Sequence, residues 1–266
     1  MTQAERRLYL IRSLLNEKME YQSLNVPRDA GEQRKLLRSL MNVRAPKAVD
    51  ESFLHVQDAY LQQEMADEGI TDLDDLRPVS GDLYLWQGDI TRLKCGAIVN
   101  AANSGMTGCY IPCHACIDNC IHTFAGVQLR QDCAALMAEQ GHEEPTGQAK
   151  ITKAYNLPCD YVLHTVGPIV SGRVTREDER LLASCYRSCL EVAEKNSVRS
   201  IAFCCISTGV FHFPNERAAE IAVETVRRYK VETGSKIKVV FNVFKDLDKT
   251  IYERLLGANC APAARA

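Results

Sequence analysis

The chain has 266 residues, enough for one large domain or one domain with a substantial extension, and its 46% apolar and 25% charged residues exclude a disordered protein. Lys and Arg number 32 against 34 Asp and Glu, a formal charge of −2 that excludes bulk attraction to nucleic acid or anionic lipid as the main activity. No run approaches the roughly 18 apolar residues of a membrane span, and MTQAERRLYL lacks the basic, apolar, small order of a secretion signal, so a cytoplasmic protein is expected.

Residues 1–77 read as an all-helical N-terminal extension. Thr2 and Glu5 have capping-box spacing, and Leu8, Ile11 and Leu15 follow at helical intervals with Leu14 on the same face. A second helix is expected from Gly31 to Val43 around Leu36, Leu37, Leu40 and Met41, and a third from Ser52 to Ala66 with Phe53, Val56 and Tyr60 on one stripe. The acidic stretch Thr71 to Asp75, then Pro78 and Gly81, marks a change of pattern near residue 78.

Residues 78–257 alternate short apolar runs with long amphipathic stretches, the pattern of a mixed sheet flanked by helices. Strands are expected at Leu83–Trp86, Ala97–Val99, Ala149–Ala154, Tyr161–His164, Ser200–Ile206 and Lys236–Phe244. Helices are expected at Ile117–Glu139, Glu177–Lys195, Asn215–Tyr229 and Leu247–Leu256. The remainder, 258–266, is expected to be a flexible tail, with no periodicity from Asn259 to Ala266.

Three segments carry chemistry. Ile206-Ser207-Thr208-Gly209-Val210-Phe211 leaves a buried strand and approaches a helix, so it can present backbone N–H groups to a phosphate or serve as an ordinary turn. Gln87-Gly88-Asp89-Ile90 follows another strand, and Asn100-Ala101-Ala102-Asn103 follows soon after. Asp89 can accept from an exocyclic amine, and Asn103 offers donor and acceptor to a sugar; both residues are also favoured in turns for backbone reasons alone. The most informative segment runs from Gly108 to His122. It holds Cys109, Cys113, His114, Cys116 and Cys120, four of the twelve cysteines of a chain too long for a small disulfide scaffold. Thiols and imidazoles this close suit zinc, but spacing does not select the ligands. It also leaves open an iron–sulfur cluster or buried thiols on a helix.

Taken in order, Gly88-Asp89-Ile90, Asn100-Ala101-Ala102-Asn103, Ile117-Asp118-Asn119 and Ser207-Thr208-Gly209-Val210-Phe211 resemble the macrodomain family of ADP-ribose binders over residues 78–257. Cys109 to Asn119 is similar to the zinc-containing bacterial macrodomains, which remove ADP-ribose from modified proteins and carry a helical N-terminal extension. The resemblance implies a three-layer α/β/α fold with a central mixed sheet. It implies that Asp89 binds the adenine amine with Ile90 in support, that Asn103 orients the distal ribose and that Ser207 to Phe211 surround the diphosphate. Phe244 is a candidate for adenine stacking. One Zn2+ would be held by Cys109, His114 and Cys116. In place of the glycine-rich stretch of other hydrolase macrodomains, Cys113-His114-Ala115-Cys116 precedes the aspartate, a metal-anchored loop instead of a flexible cradle.

The reaction implied is hydrolysis of a glycosidic bond (EC 3.2.1.-) in a mono-ADP-ribosylated protein. Its transition state carries positive charge on the sugar. A three-ligand zinc with an open position would bind ribose hydroxyls or activate a water, with Asp118 at the start of a helix as base or water holder. Acidic side-chain esters cleave more easily than an arginine N-glycoside, which favours the former, and the resemblance adds a lipoyl-carrier protein as a candidate substrate. Two other readings stand beside this one. A module that binds ADP-ribose without cleaving it would use the same adenine and phosphate contacts. A structural zinc protein would have Cys113 or Cys120 as a fourth ligand.

Overall fold

The computed structural model of the chain describes residues 1–257, so the expected tail from Asn259 to Ala266 lies outside the described residues. Helix α1 (Gln3–Asn16) begins as its spacing predicts: Glu5 N donates to the Thr2 hydroxyl at 3.2 Å and Thr2 N to the Glu5 carboxylate at 2.7 Å. Asp29 and Asp50 cap α2 (Ala30–Val43) and α3 (Glu51–Glu68) by accepting from Glu32 N and Phe53 N. The three helices close a core of their own around Leu10, Ile11, Leu14, Leu37, Met41 and Phe53, joined by Val127 from beyond the extension. Each such buried Leu or Ile is worth about 1.5–3 kcal/mol over an exposed one. Leu10 takes the buried position on α1 and Leu8 is half-buried, while Leu36 and Val56 pack at the edge.

Beyond them come β1 (Thr71–Asp72), β2 (Leu83–Gln87), β3 (Leu93–Lys94), β4 (Ala97–Ala102), α4 (Ile117–Ala125), α5 (Val127–Gln140), β5 (Ala149–Lys153), β6 (Tyr161–Val166), α6 (Arg176–Lys195), β7 (Ser200–Phe203), α7 (Asn215–Thr233), β8 (Lys238–Val243) and α8 (Asp246–Gly257). The main sheet has the order β2-β8-β7-β4-β6-β5, parallel throughout except for β5, which runs antiparallel to β6. β1 and β3 form a separate parallel pair. Successive residues of β7, and all but one of β4, are buried, as expected of strands covered on both faces. Helix α7 packs on both α6 and α8, α8 also rests on β2 and β8, and α4 lies against β4. The fold is the expected α/β arrangement, a mixed central sheet with helices around it and a helical region before it.

Two expectations need correction. β7 stops at Phe203, short of Ile206: Cys204 and Cys205 leave the ladder and the chain turns at Ile206 and Ser207. The single helix expected over Ile117–Glu139 is two helices, broken at Gly126 (φ 100°, ψ 175°). The break lets the fully buried Gln57 of α3 cap α5: Val127 N donates to its Oε1 at 3.0 Å, and a Cβ on Gly126 would stand 2.6 Å from its Nε2. One turn into α5, Arg130 Nη1 donates to the carbonyls that end α2, Met41 O at 3.1 Å and Asn42 O at 2.8 Å, and to Arg44 O just beyond at 2.6 Å.

Candidate active site

A cleft of about 430 Å3 opens at the carboxyl ends of β2, β4, β7 and β8, where ligands of parallel α/β sheets bind. Its first wall follows β2. Gly88 passes so near the Trp86 indole that a side chain there would collide, and Asn242 of β8 fixes the turn by donating Nδ2 to Gly88 O at 2.9 Å. Asp89 starts a 3₁₀ turn, its Oδ1 accepting from Thr91 N at 3.0 Å and from the Thr91 hydroxyl at 2.7 Å. Its Oδ2 lies 3.9 Å from Arg92 Nε and retains lone pairs for a ligand. Ile90 is buried beneath. Phe244, 74% exposed at the end of β8, and Lys245 border the same wall.

The second wall is the loop from β7 to α7. Ser207 (φ 65°) and His212 (φ 57°) sit in the left-handed region, and the loop is pinned by Phe213 N to Ser207 O at 3.0 Å and His212 N to Gly209 O at 3.1 Å. Thr208 turns its hydroxyl back to Cys205 O at 2.9 Å. The amides of Gly209, Val210 and Phe211 have no acceptor among the described residues. Ala115, Cys116 and Ile117, the N-terminus of α4, line the cleft as well, and Cys116 caps α4 without a side-chain bond. Unpaired N–H groups from a loop and from a helix start therefore border one cleft, an arrangement that accepts an anion such as a diphosphate.

Cys109, His114 and Cys116 each place one donor atom within 4.8 Å of the other two, with Cys109 Sγ 3.5 Å from His114 Nδ1. Two thiols and an imidazole make a donor set that zinc accepts. Cys113 turns away, its Sγ 3.2 Å from Ser39 Oγ and 3.4 Å from Lys35 O, and Cys120 Sγ faces Arg38. Among the described residues the cluster therefore has three members, not the four of a closed structural site. Burial pushes the Cys116 thiol up to about 12, so a cation must displace its proton at neutral pH.

Asp118 and Asn103 lie behind this wall, not on it. Asp118 is 5% exposed; Asn100 Nδ2 donates to its Oδ1 at 2.8 Å and Asn103 Nδ2 to its Oδ2 at 3.3 Å. Burial raises its carboxyl to about 6 against the bond from Asn100, which lowers it. Asn103 also donates to Gly108 O at 3.1 Å and accepts from Gly105 N at 3.0 Å, so its polar atoms hold the start of the cysteine loop. His122 Nε2 lies 3.6 Å from Asp118 Oδ1, but burial drives its pKa far below the usual range, so the pair is a neutral imidazole beside a carboxyl and not an ion pair. A second cluster, His122, Cys133 and His164, is wholly buried. His164 is already occupied there: Asn100 Nδ2 lies 3.2 Å from its Nδ1, and its Nε2 is 2.9 Å from the Thr152 hydroxyl.

Of the residues singled out in the sequence, Asp89, Ile90, Cys116, Ser207, Thr208, Gly209, Val210, Phe211 and Phe244 line the cleft. Cys109 and His114 join Cys116 from the adjoining loop. Sequence reasoning missed Asn242, Lys245 and Asp248, which also line it. The signal for Asn242 was an amide in an otherwise apolar strand; Lys245 and Asp248 offered only their position just past a strand end.

These features define an α/β binding protein with an anion-accepting cleft at its strand ends and a soft-donor cluster in one wall. Residues 99–222 match the Macro domain family. The chain is 62% identical over 260 residues to a protein of Treponema medium named protein-ADP-ribose hydrolase, covering 96% of this chain and 100% of that one. It is 50% identical over 247 residues to a Staphylococcus aureus protein of the same name, covering 92% of each. The Trypanosoma brucei macrodomain in complex with ADP-ribose superposes with a TM-score of 0.64 at 31% identity, over 82% of this chain and 95% of that one. The chain belongs to the macrodomain family.

Proposed function

We propose that this protein is a zinc-dependent hydrolase that releases ADP-ribose from mono-ADP-ribosylated proteins, acting on esters of acidic side chains. One observation carries the reading: Cys116 belongs both to the three-donor cluster and to the wall of the anion-accepting cleft. The names of the Treponema medium and Staphylococcus aureus relatives and the ADP-ribose complex of the Trypanosoma brucei structure support it.

The chain's own groups divide the work. Asp89 accepts from the adenine amine through Oδ2, and Phe244 stacks on the ring. The amides of Gly209, Val210 and Phe211, with the start of α4, hold the diphosphate without a buried cation. This fixes the distal ribose towards Cys116. Cys109, His114 and Cys116 would hold a zinc ion, which would supply Lewis-acid chemistry beside the ribose. Asp118 and Asn103 act from behind, keeping Gly108 and the α4 turn in place. Ester cleavage is favoured because a carboxylate leaves more readily than a guanidine.

Incubating the protein with substrates mono-ADP-ribosylated on glutamate or on arginine, and with an ADP-ribosylated lipoyl-carrier protein, with and without a chelator, tests the proposal. Free ADP-ribose and bound metal are measured together. Expected are about one zinc per chain, release from the glutamate ester and loss of release with the metal. Full turnover by zinc-free protein, or tight ADP-ribose binding with no release from any substrate, overturns it, the second outcome identifying a binding module.

A further inference from the structure

Helix α2 of the N-terminal extension reaches the cysteine loop through one side chain. Arg38 Nη2 lies 2.8 Å from His114 O, 3.1 Å from Asn119 Oδ1 and 3.5 Å from Cys120 Sγ. Asn119 relays that anchor, its Nδ2 donating to Cys109 O at 3.2 Å and to Ile111 O at 2.9 Å. Cys120, one turn into α4, donates its backbone N–H to Cys116 O at 3.1 Å. A single guanidinium is thus tied to the backbone of all three cluster members: His114 directly, Cys109 through Asn119, and Cys116 through the helix that carries Asn119 and Cys120.

The loop needs such a hold. Cys113 sits in the left-handed region at φ 52°, where a residue with a side chain is strained unless its surroundings fix it. From α2, Asn42 Oδ1 accepts from Cys113 N at 2.9 Å, so the extension grips the loop at two successive residues. Arg38 does not line the cleft, and its Nε is buried without a partner, so the side chain is placed for what Nη2 holds.

We propose that Arg38 is a positioning residue that preforms the zinc site, fixing Cys109, His114 and Cys116 before the metal arrives. The inference rests on the reading of those three as the zinc set. Side chains that orient metal ligands typically change affinity by about 10- to 100-fold when removed. An ammonium in place of the planar fork keeps the charge but not its geometry, so Arg38→Lys should fall between wild type and Arg38→Ala.

The test is a zinc titration against a competing chelator on wild type, Arg38→Ala, Arg38→Lys and Arg34→Ala, with the visible spectrum of each cobalt-loaded protein and the thermal midpoint of each metal-free one. Arg34 lies one turn away on α2 and pairs with Glu64, so its variant is the control. Expected are zinc affinity about 10- to 100-fold weaker in Arg38→Ala, a smaller loss in Arg38→Lys, none in Arg34→Ala, an altered cobalt spectrum and little change in the metal-free midpoint. Unchanged affinity and spectrum overturn the inference alone. So does a fall in the metal-free midpoint with affinity intact, which marks a merely structural role. If Arg38→Ala does not fold, unchanged affinity in Arg38→Lys has the same force. Wild type with no tight zinc overturns the zinc reading and, with it, this inference.

Discussion

Gly126→Ala probes the joint between the helical extension and the sheet. Gly126 holds φ 100° and ψ 175°, where an alanine costs about 1–3 kcal/mol. Its Cβ would also stand 2.6 Å from Gln57 Nε2 and 2.7 Å from Gln128 Oε1. Gln57 is fully buried and can yield only by leaving Val127 N, and an unpaired buried N–H costs about 1–3 kcal/mol more. The sum is roughly 4 kcal/mol. At about 2–4 °C per kcal/mol for a chain of this size, the thermal midpoint should fall by roughly 10 °C. Calorimetry of Gly126→Ala, Gln57→Ala and the double variant separates the two contributions, because truncating Gln57 removes its clash and the lost Val127 bond, leaving backbone strain and the contact with the half-buried Gln128, and the glycine substitution should then cost about half as much. A fall below about 2 °C would refute the strain argument, and equal costs in both backgrounds would refute the contact.

Phe244→Ala removes an exposed ring that supports no core, so the fold should be unaffected. Stacking is worth about 1–3 kcal/mol per base, and ADP-ribose should bind roughly tenfold more weakly by titration calorimetry; an unchanged Kd would show that the adenine lies elsewhere. Acidification should destabilise the protein. Burial lowers His164 to about 3 and His122 well below its usual range, whereas their unfolded counterparts protonate near 6.5. The unfolded chain therefore takes up two protons as pH falls through about 6.5, while Asp118, raised to about 6, returns one to the folded side. Between about pH 6 and 4 the net of one proton removes about 1.4 kcal/mol per pH unit. Denaturant midpoints at pH 7.5, 5.5 and 4.5 should fall accordingly, and a flat or rising series would mean that the two histidines are charged in the fold.

The central strands β4, β6, β7 and β8 were legible because covered strands are mostly apolar, whereas the two-residue β1 and β3 were not, and three helices of the extension were legible from their periodicity. The break at Gly126 was not, since a lone glycine within a helical pattern is tolerated and its reason here, Gln57, is distant in sequence. The direction of β5 was equally hidden: it follows from pairing Ile151 with Leu163 across a turn, which no local pattern encodes. At the site, the residues along Gly88–Ile90 and Ser207–Phe211 could be read because their contribution is backbone geometry at strand ends. Asp118 could be read as a carboxyl near a helix start, but not its direction, which depends on Asn100 in register with His164 on the neighbouring strand. Arg38 carried no signal at all among the other cations of α2.

The two hydrophobic cores exchange side chains. Val127 of α5 sits among the leucines of the extension, while Met65 and Leu73 enter the core beneath the sheet. Gln57 and Arg130 cross the same joint in opposite directions, each closing a helix end that belongs to the other side. A nick in the short link at 76–81 would therefore leave two pieces clasped together, and swapping the extension between relatives would require matching partners on both sides. The seam visible in the sequence is a change of pattern, not a hinge along which the molecule comes apart.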